Sequence, residues 1–153
     1  MTARLSSTTN TDNLYDRDYY LWLQHTARLI SEGKFSDVDT ANLIEEIEDM
    51  GRSEKRAVES NLTVLLAHLL KYKYQPQKRS NSWRATIIEH RRRIKKAFRD
   101  SPSLKQYFSE IFEETYQDAI RAAAAETGLT LDTFPSESPF TPEQVLNPDY
   151  LPA

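Results

Sequence analysis

Residues 39–72 read DTANLIEEIEDMGRSEKRAVESNLTVLLAHLLKY, and their apolar phase decides the fold. At 100° per residue, Leu43, Ile44, Ile47 and Met50 centre on one direction. Val58, Leu62, Leu65 and Leu69 centre only about 40° further round, the slow drift of one continuous helix. Gly51 lies between the two groups, and a helix broken there would scramble the phase. The stretch therefore predicts a single helix of about 34 residues, on the order of 50 Å long, with Gly51 as a place for a kink. Asp39 is a suitable N-cap, and Pro76 stops the helix.

Working outward, Asp16 can cap a first helix with an apolar stripe of Tyr19, Leu21, Trp22, Leu23, Leu29 and Ile30, closed by Gly33 as a left-handed cap. Downstream, Ser82 is a candidate cap for a third helix whose inner stripe is Trp83, Ile87, His90, Ile94, Ala97 and Phe98. Ser101–Pro102 opens a fourth, with Leu104, Tyr107, Phe108, Ile111, Phe112, Thr115, Ala119 and Ala122 inward, and Gly128 ends it. The expected fold is all-α: an antiparallel bundle of four main helices over 15–128, with a long central helix. An extended tail, 129–153, packs on the bundle through Leu129, Leu131, Phe134, Phe140 and Leu146. Thr141, Pro142 and Gln144 offer a capping-box start to one short helical turn in it. Residues 1–14, polar and rich in Ser, Thr and Asn, read as a disordered segment.

The chain of 153 residues fits one domain with a modest core. It has no Cys, which excludes disulfides, zinc–thiolate sites and cysteine nucleophiles. No apolar run has the length of a membrane span and no apolar leader opens the chain, so the expected location is cytoplasmic and no membrane partner is implied.

Charge is sharply segregated. Residues 71–99 hold 11 of the 20 Lys and Arg and one acid, Glu89, whereas the other residues carry 9 basic and 22 acidic side chains. Helical phase places Arg92, Lys95, Lys96 and Arg99 on the outer face of the third helix, with Arg84 and Arg91 on one flank. Lys71, Lys73, Lys78 and Arg79 extend the charge into the preceding loop. Lys71, Arg91, Arg92, Lys95, Lys96 and Arg99 thus form a candidate anion-binding face for a protein or a nucleic acid. Tyr72, Tyr74 and Trp83 interleave it as stacking residues do in single-strand binders, although Tyr72 and Trp83 fall on core stripes. The acids Glu110, Glu113, Glu114 and Asp118 on the fourth helix offer the contrary outcome, in which the band is matched internally.

The segments YDRDYYLWLQHTARLI, NLIEEIEDMGRSEKRAVESNLTVLLAHLLKYKYQP, SNSWRATIIEHRRRI, SPSL, ETGL and FPSESPF occur in that order. In this the chain resembles a bacterial, largely cyanobacterial family, domain of unknown function 29, from about Tyr15 to Pro152. The resemblance implies a single all-helical domain. It implies no activity, cofactor or catalytic residue.

Catalysis has one candidate constellation. Antiparallel packing of the second and third helices brings His68 within about one turn of His90. Arg84, six residues before His90, resembles the Arg-x(4–6)-His motif of HEPN ribonucleases, although Ala85 stands where a polar residue usually follows. His68, Arg84 and His90 could serve a nuclease or metal-dependent enzyme, with His moving a proton and Arg stabilising charge. The bland reading is two core histidines satisfied by hydrogen bonds. Glu45, Glu46, Glu48 and Asp49 suggest a carboxylate metal site, but Glu45 and Asp49 point away from the core and the chain has no Glu-x-x-His spacing, so no metal ligands are assigned. A non-enzymatic interaction module built on the basic segment is the leading reading. The long helix outruns its neighbours, which points to a homodimer.

Overall fold

The computed structural model describes residues 14–153. The segment read as disordered lies outside the described residues except at Leu14, which opens a helical turn over 14–17. The chain is all-α: α1 (Tyr19–Ser31), α2 (Thr40–Tyr74), α3 (Asn81–Asp100) and α4 (Leu104–Thr127) are the main helices, and α5 (Pro142–Leu146) is a short one in the tail. No helix among the described residues is long and apolar enough to cross a membrane.

Local chemistry sets the boundaries. Asp18, not Asp16, caps α1, and its carboxylate accepts from the Leu21 amide at 3.0 Å. The turn at 14–17 occupies the region where Asp16 would have acted, and Asp18 is the first residue with non-helical backbone before α1. Gly33 follows α1 with φ +74°, the left-handed conformation that favours glycine. Asp39 accepts from the Asn42 amide at 3.3 Å and opens α2, whose 35 residues continue without a break past Gly51 to Tyr74. Pro76 then turns the chain through a 3-10 turn, Pro76–Lys78. Ser80, extended and accepting from the Trp83 amide at 3.2 Å, caps α3, and Ser82 already lies within its first turn. Gly128, at φ +76°, closes α4.

The chain divides into two compact units, one ending at Arg52 and the other Ser53–Ala153, with α2 contributing to both. In the first, α1 and the start of α2 form a hairpin. Trp22 and Thr26 are buried, and the Tyr15 and Tyr19 hydroxyls both donate to the Glu46 carboxylate. The bond to Glu46 and partial burial push the Tyr15 pKa up to about 12. The rest of the expected inner stripes is not core: Tyr19, Leu21, Leu23, Ile30, Ile44, Ile47 and Met50 are exposed. A two-helix hairpin has no third layer, so most of its apolar side faces outward.

In the second unit, Val58, Leu62, Leu65 and Leu69 of α2 meet Ile87 and Ile94 of α3 and Phe108, Phe112, Tyr116 and Ala119 of α4. The tail completes this core. Phe134, Phe140 and Val145 are buried, Leu129 and Leu146 pack partly against them, and Leu131, expected to pack, is 54% exposed. The Tyr116 hydroxyl donates to the Pro135 carbonyl at 2.7 Å, and Thr141 and Gln144 form both bonds of the capping box.

Leu65→Ala should lower the unfolding free energy by about 2–5 kcal/mol, since it opens a cavity in a closed core. Leu131→Ala should change it by less than about 0.5 kcal/mol. Urea denaturation followed by circular dichroism checks both.

Candidate functional site

The basic segment separates into an inner and an outer set. Lys71, read as anion-binding, is only 8% exposed. Its Nζ donates to Glu126 Oε2 at 2.8 Å and stands 4.8 Å from the centre of the Trp83 ring. Arg91 is more deeply committed, at 3% exposure. Its Nε donates to the Val145 carbonyl at 2.8 Å, and its Nη2 to the carbonyls of Tyr150 at 2.8 Å and Gln144 at 3.3 Å. These two cations therefore have partners inside the fold and leave the outer face. Burial lowers the pKa of Arg91 from its ordinary value, yet a guanidinium keeps its proton in a protein, so a full charge is held by backbone dipoles of the tail. Arg79 adds a second tie, donating to the Tyr72 carbonyl at 2.7 Å and to the Pro152 carbonyl at 3.4 Å.

The outer set is exposed. Arg92 forms a two-pronged bond to Glu89, at 3.0 and 2.7 Å, and Arg93 reaches the same carboxylate at 3.1 Å. These bonds hold the Glu89 pKa down to about 2. Lys96 pairs with Asp100 at 2.9 Å. Lys95 and Arg99 have no ion pair among the described residues, and none there joins α3 to Glu110, Glu113, Glu114 or Asp118 of α4. Asp118 pairs with Arg121 of its own helix. Exposed pairs within one helix are worth about 0–0.5 kcal/mol, so they dissolve readily when a stronger anion arrives.

Between α3 and the tail lies a cleft of about 250 Å³ lined by Ile88, Arg91, Arg92, Lys95 and Pro148. Ile88, 64% exposed, supplies an apolar wall among the cations. The aromatic residues of the segment are turned elsewhere: Trp83 meets Lys71, Tyr72 meets Arg79, and Tyr74 stands edge-on to Phe134.

The two histidines behave alike. His68 Nδ1 lies 2.8 Å from the Val64 carbonyl, and His90 Nδ1 lies 2.8 Å from the Thr86 carbonyl. A carbonyl only accepts, so Nδ1 carries the hydrogen in each, and Nε2 is the basic nitrogen of the neutral ring. The pKa of His68 is lowered from 6.5, chiefly by burial; the Val64 bond opposes this, and Lys71 and His90 add to it. Arg84 is exposed and donates to Asn81 Oδ1 at 2.9 Å, within its own helix. In the first unit, Arg52 binds Glu45, Glu48 and Asp49, and Glu46 takes the two tyrosines. Among the described residues no group of three or more His, Asp or Glu is placed to hold a metal ion.

The model of one family, described as domain of unknown function DUF29, matches residues 14–151. The chain belongs to the DUF29 family. No curated protein and no solved structure matches it.

In this DUF29 chain, helical phase contained a signal for Arg91. It follows Ile87 by four residues and precedes Ile94 by three, so it sits on the buried stripe. No local signal marked Lys71, whose partner is 55 residues away.

Arg91→Met should cost about 2–4 kcal/mol, because tail carbonyls lose a charged donor inside the fold. Hydrogen exchange should show residues 142–152 opening first. A second expectation follows from His68. Its folded pKa lies below that of the unfolded chain, so the unfolded chain binds more protons as pH falls through about 6.5. Stability should be full above that pH, decline below it, and level off beneath the folded pKa. Urea denaturation at stepped pH checks this, and His68→Gln should flatten the decline.

Proposed function

We propose that this DUF29 protein is a non-enzymatic interaction module whose α3 outer face binds an acidic protein segment bearing an apolar side chain. The cleft beside α3 carries this reading: Ile88 offers an apolar contact while Arg92 and Lys95 offer charge at the same place. Lys95 and Arg99 form no ion pair among the described residues, and Arg92 and Lys96 are held by weak pairs within their own helix. A nucleic acid is the less favoured anion. Trp83, Tyr72 and Tyr74 have partners within the fold, which removes the stacking platform a single strand needs. The net charge of −3 also repels a long polyanion approaching from any other side.

The enzymatic alternative built on His68, Arg84 and His90 has weaker support. Arg84 is an exposed side chain engaged by its own helix turn, and both imidazoles spend Nδ1 on backbone carbonyls.

Fluorescence anisotropy with a labelled peptide of Asp and Glu around one Leu tests the proposal. A matched peptide with Ser for Leu and a single-stranded RNA serve as comparisons. Lys95→Glu should weaken peptide binding about tenfold and reduce its salt dependence, and Ile88→Ser should weaken it about tenfold with the salt dependence unchanged. RNA binding tighter than the peptide, with a steep salt slope, would overturn the assignment.

A further inference from the structure

Among the described residues, the first unit carries an apolar face that nothing in that unit covers. Ile44, Ile47 and Met50 of α2 are 55%, 57% and 58% exposed, and Leu23 and Ile30 of α1 are also exposed. Tyr19, at the start of α1, reaches Glu46, while the end of α1 joins α2 through eight residues, so the two helices run antiparallel. On α1, Leu23 and Ile30 lie about 70° round from the buried Trp22 and Thr26; on α2, Ile44, Ile47 and Met50 centre about 100° round from Glu46 in the same sense, with Gly51 at about 140°. In an antiparallel pair, the same sense of rotation leads to the same side. The two stripes therefore form one face. The other side of α2 is charged and internally paired, with Arg52 bound to Glu45, Glu48 and Asp49.

Gly51 is a second, independent observation. It sits mid-helix on the apolar stripe, its φ is not positive, and a Cβ built there would meet nothing within 4 Å. Glycine weakens a helix interior relative to alanine, and nothing among the described residues requires it there. A second helix backbone approaching the stripe does.

We infer that this face pairs with the same face of a second copy of the chain, two hairpins closing into a four-helix bundle about a two-fold axis, with Gly51 where the α2 helices come nearest. A two-fold contact needs a self-complementary patch, and an apolar stripe with a small residue on it is one. The five side chains expose roughly 90 Å² each, on the order of 450 Å² per copy, more than half of the about 800 Å² per partner that a stable interface buries. Residues 1–13, MTARLSSTTNTDN, have only Met1 and Leu5 as large apolar side chains, too few to cover five positions. The inference is independent of the α3 surface.

Sedimentation equilibrium of the full chain tests it. The expected mass is twice the 17.8 kDa of one chain at micromolar concentration. Ile44→Glu with Ile47→Glu should raise the dimer dissociation constant by more than about 100-fold while circular dichroism retains the helical signal. Gly51→Leu, which keeps every native apolar group, should do the same by blocking close approach. A monomer at every concentration up to about 100 µM would overturn the inference, because an obligate apolar face associates well below that. A dimer that persists in both variants would overturn it too, placing the interface elsewhere.

Discussion

An apolar stripe that runs the length of a 35-residue helix has to be covered along its length, and the rest of this chain is arranged around that requirement. From Val58 onward α3, α4 and the tail close over it, and Leu62, Leu65, Leu66, Leu69 and Leu70 reach full burial. Before Arg52, α1 is the one main helix that neighbours α2 among the described residues of its unit, and Ile44, Ile47 and Met50 are exposed. Hydrophobic free energy scales with area removed from water, about 25 cal/mol per Å², so the two halves of one helix contribute very unequally to the folded chain. The uneven cover separates a closed core from an exposed apolar surface.

The tail depends on a different kind of contact. Arg91 holds it by three carbonyls and no carboxylate. A buried ion pair would have matched charge with charge; here the chain's own dipoles do so, and they are in position only when the tail follows its path through Gln144, Val145 and Tyr150. The same path sets Pro148 opposite Ile88 and Lys95. A structural arginine on the inner side of α3 thus shapes a cleft beside its outer side, so the fold and the candidate binding surface share one residue.

The basic segment shows how one charge run can hold two unrelated roles. Lys71 and Arg91 are enclosed and satisfied, whereas Lys95 and Arg99 are open. The acids that partner Arg92, Arg93 and Lys96 are Glu89 and Asp100, neighbours on the same helix, and not the acidic side of α4. Side chains three and four apart meet on any helix, whatever the neighbouring helices do, and that proximity outcompetes a more distant acidic face.

The sequence by itself determined the number and order of the main helices, the continuity of α2 through Gly51, the glycine stops at Gly33 and Gly128 and the capping box at Thr141. These rest on period, phase and backbone chemistry, which act over a few residues. It missed Asp18 and Ser80 by two positions each, because which capping residue acts depends on where the preceding turn leaves the chain. Only the tertiary structure decided that Lys71 belongs to Glu126, that Arg91 belongs to the tail, and that half of the α2 stripe lies uncovered. Those outcomes depend on partners more than fifty residues away, or on which neighbours the described residues supply; helical phase turns Arg91 inward, but the order of residues does not name what it or Lys71 meets.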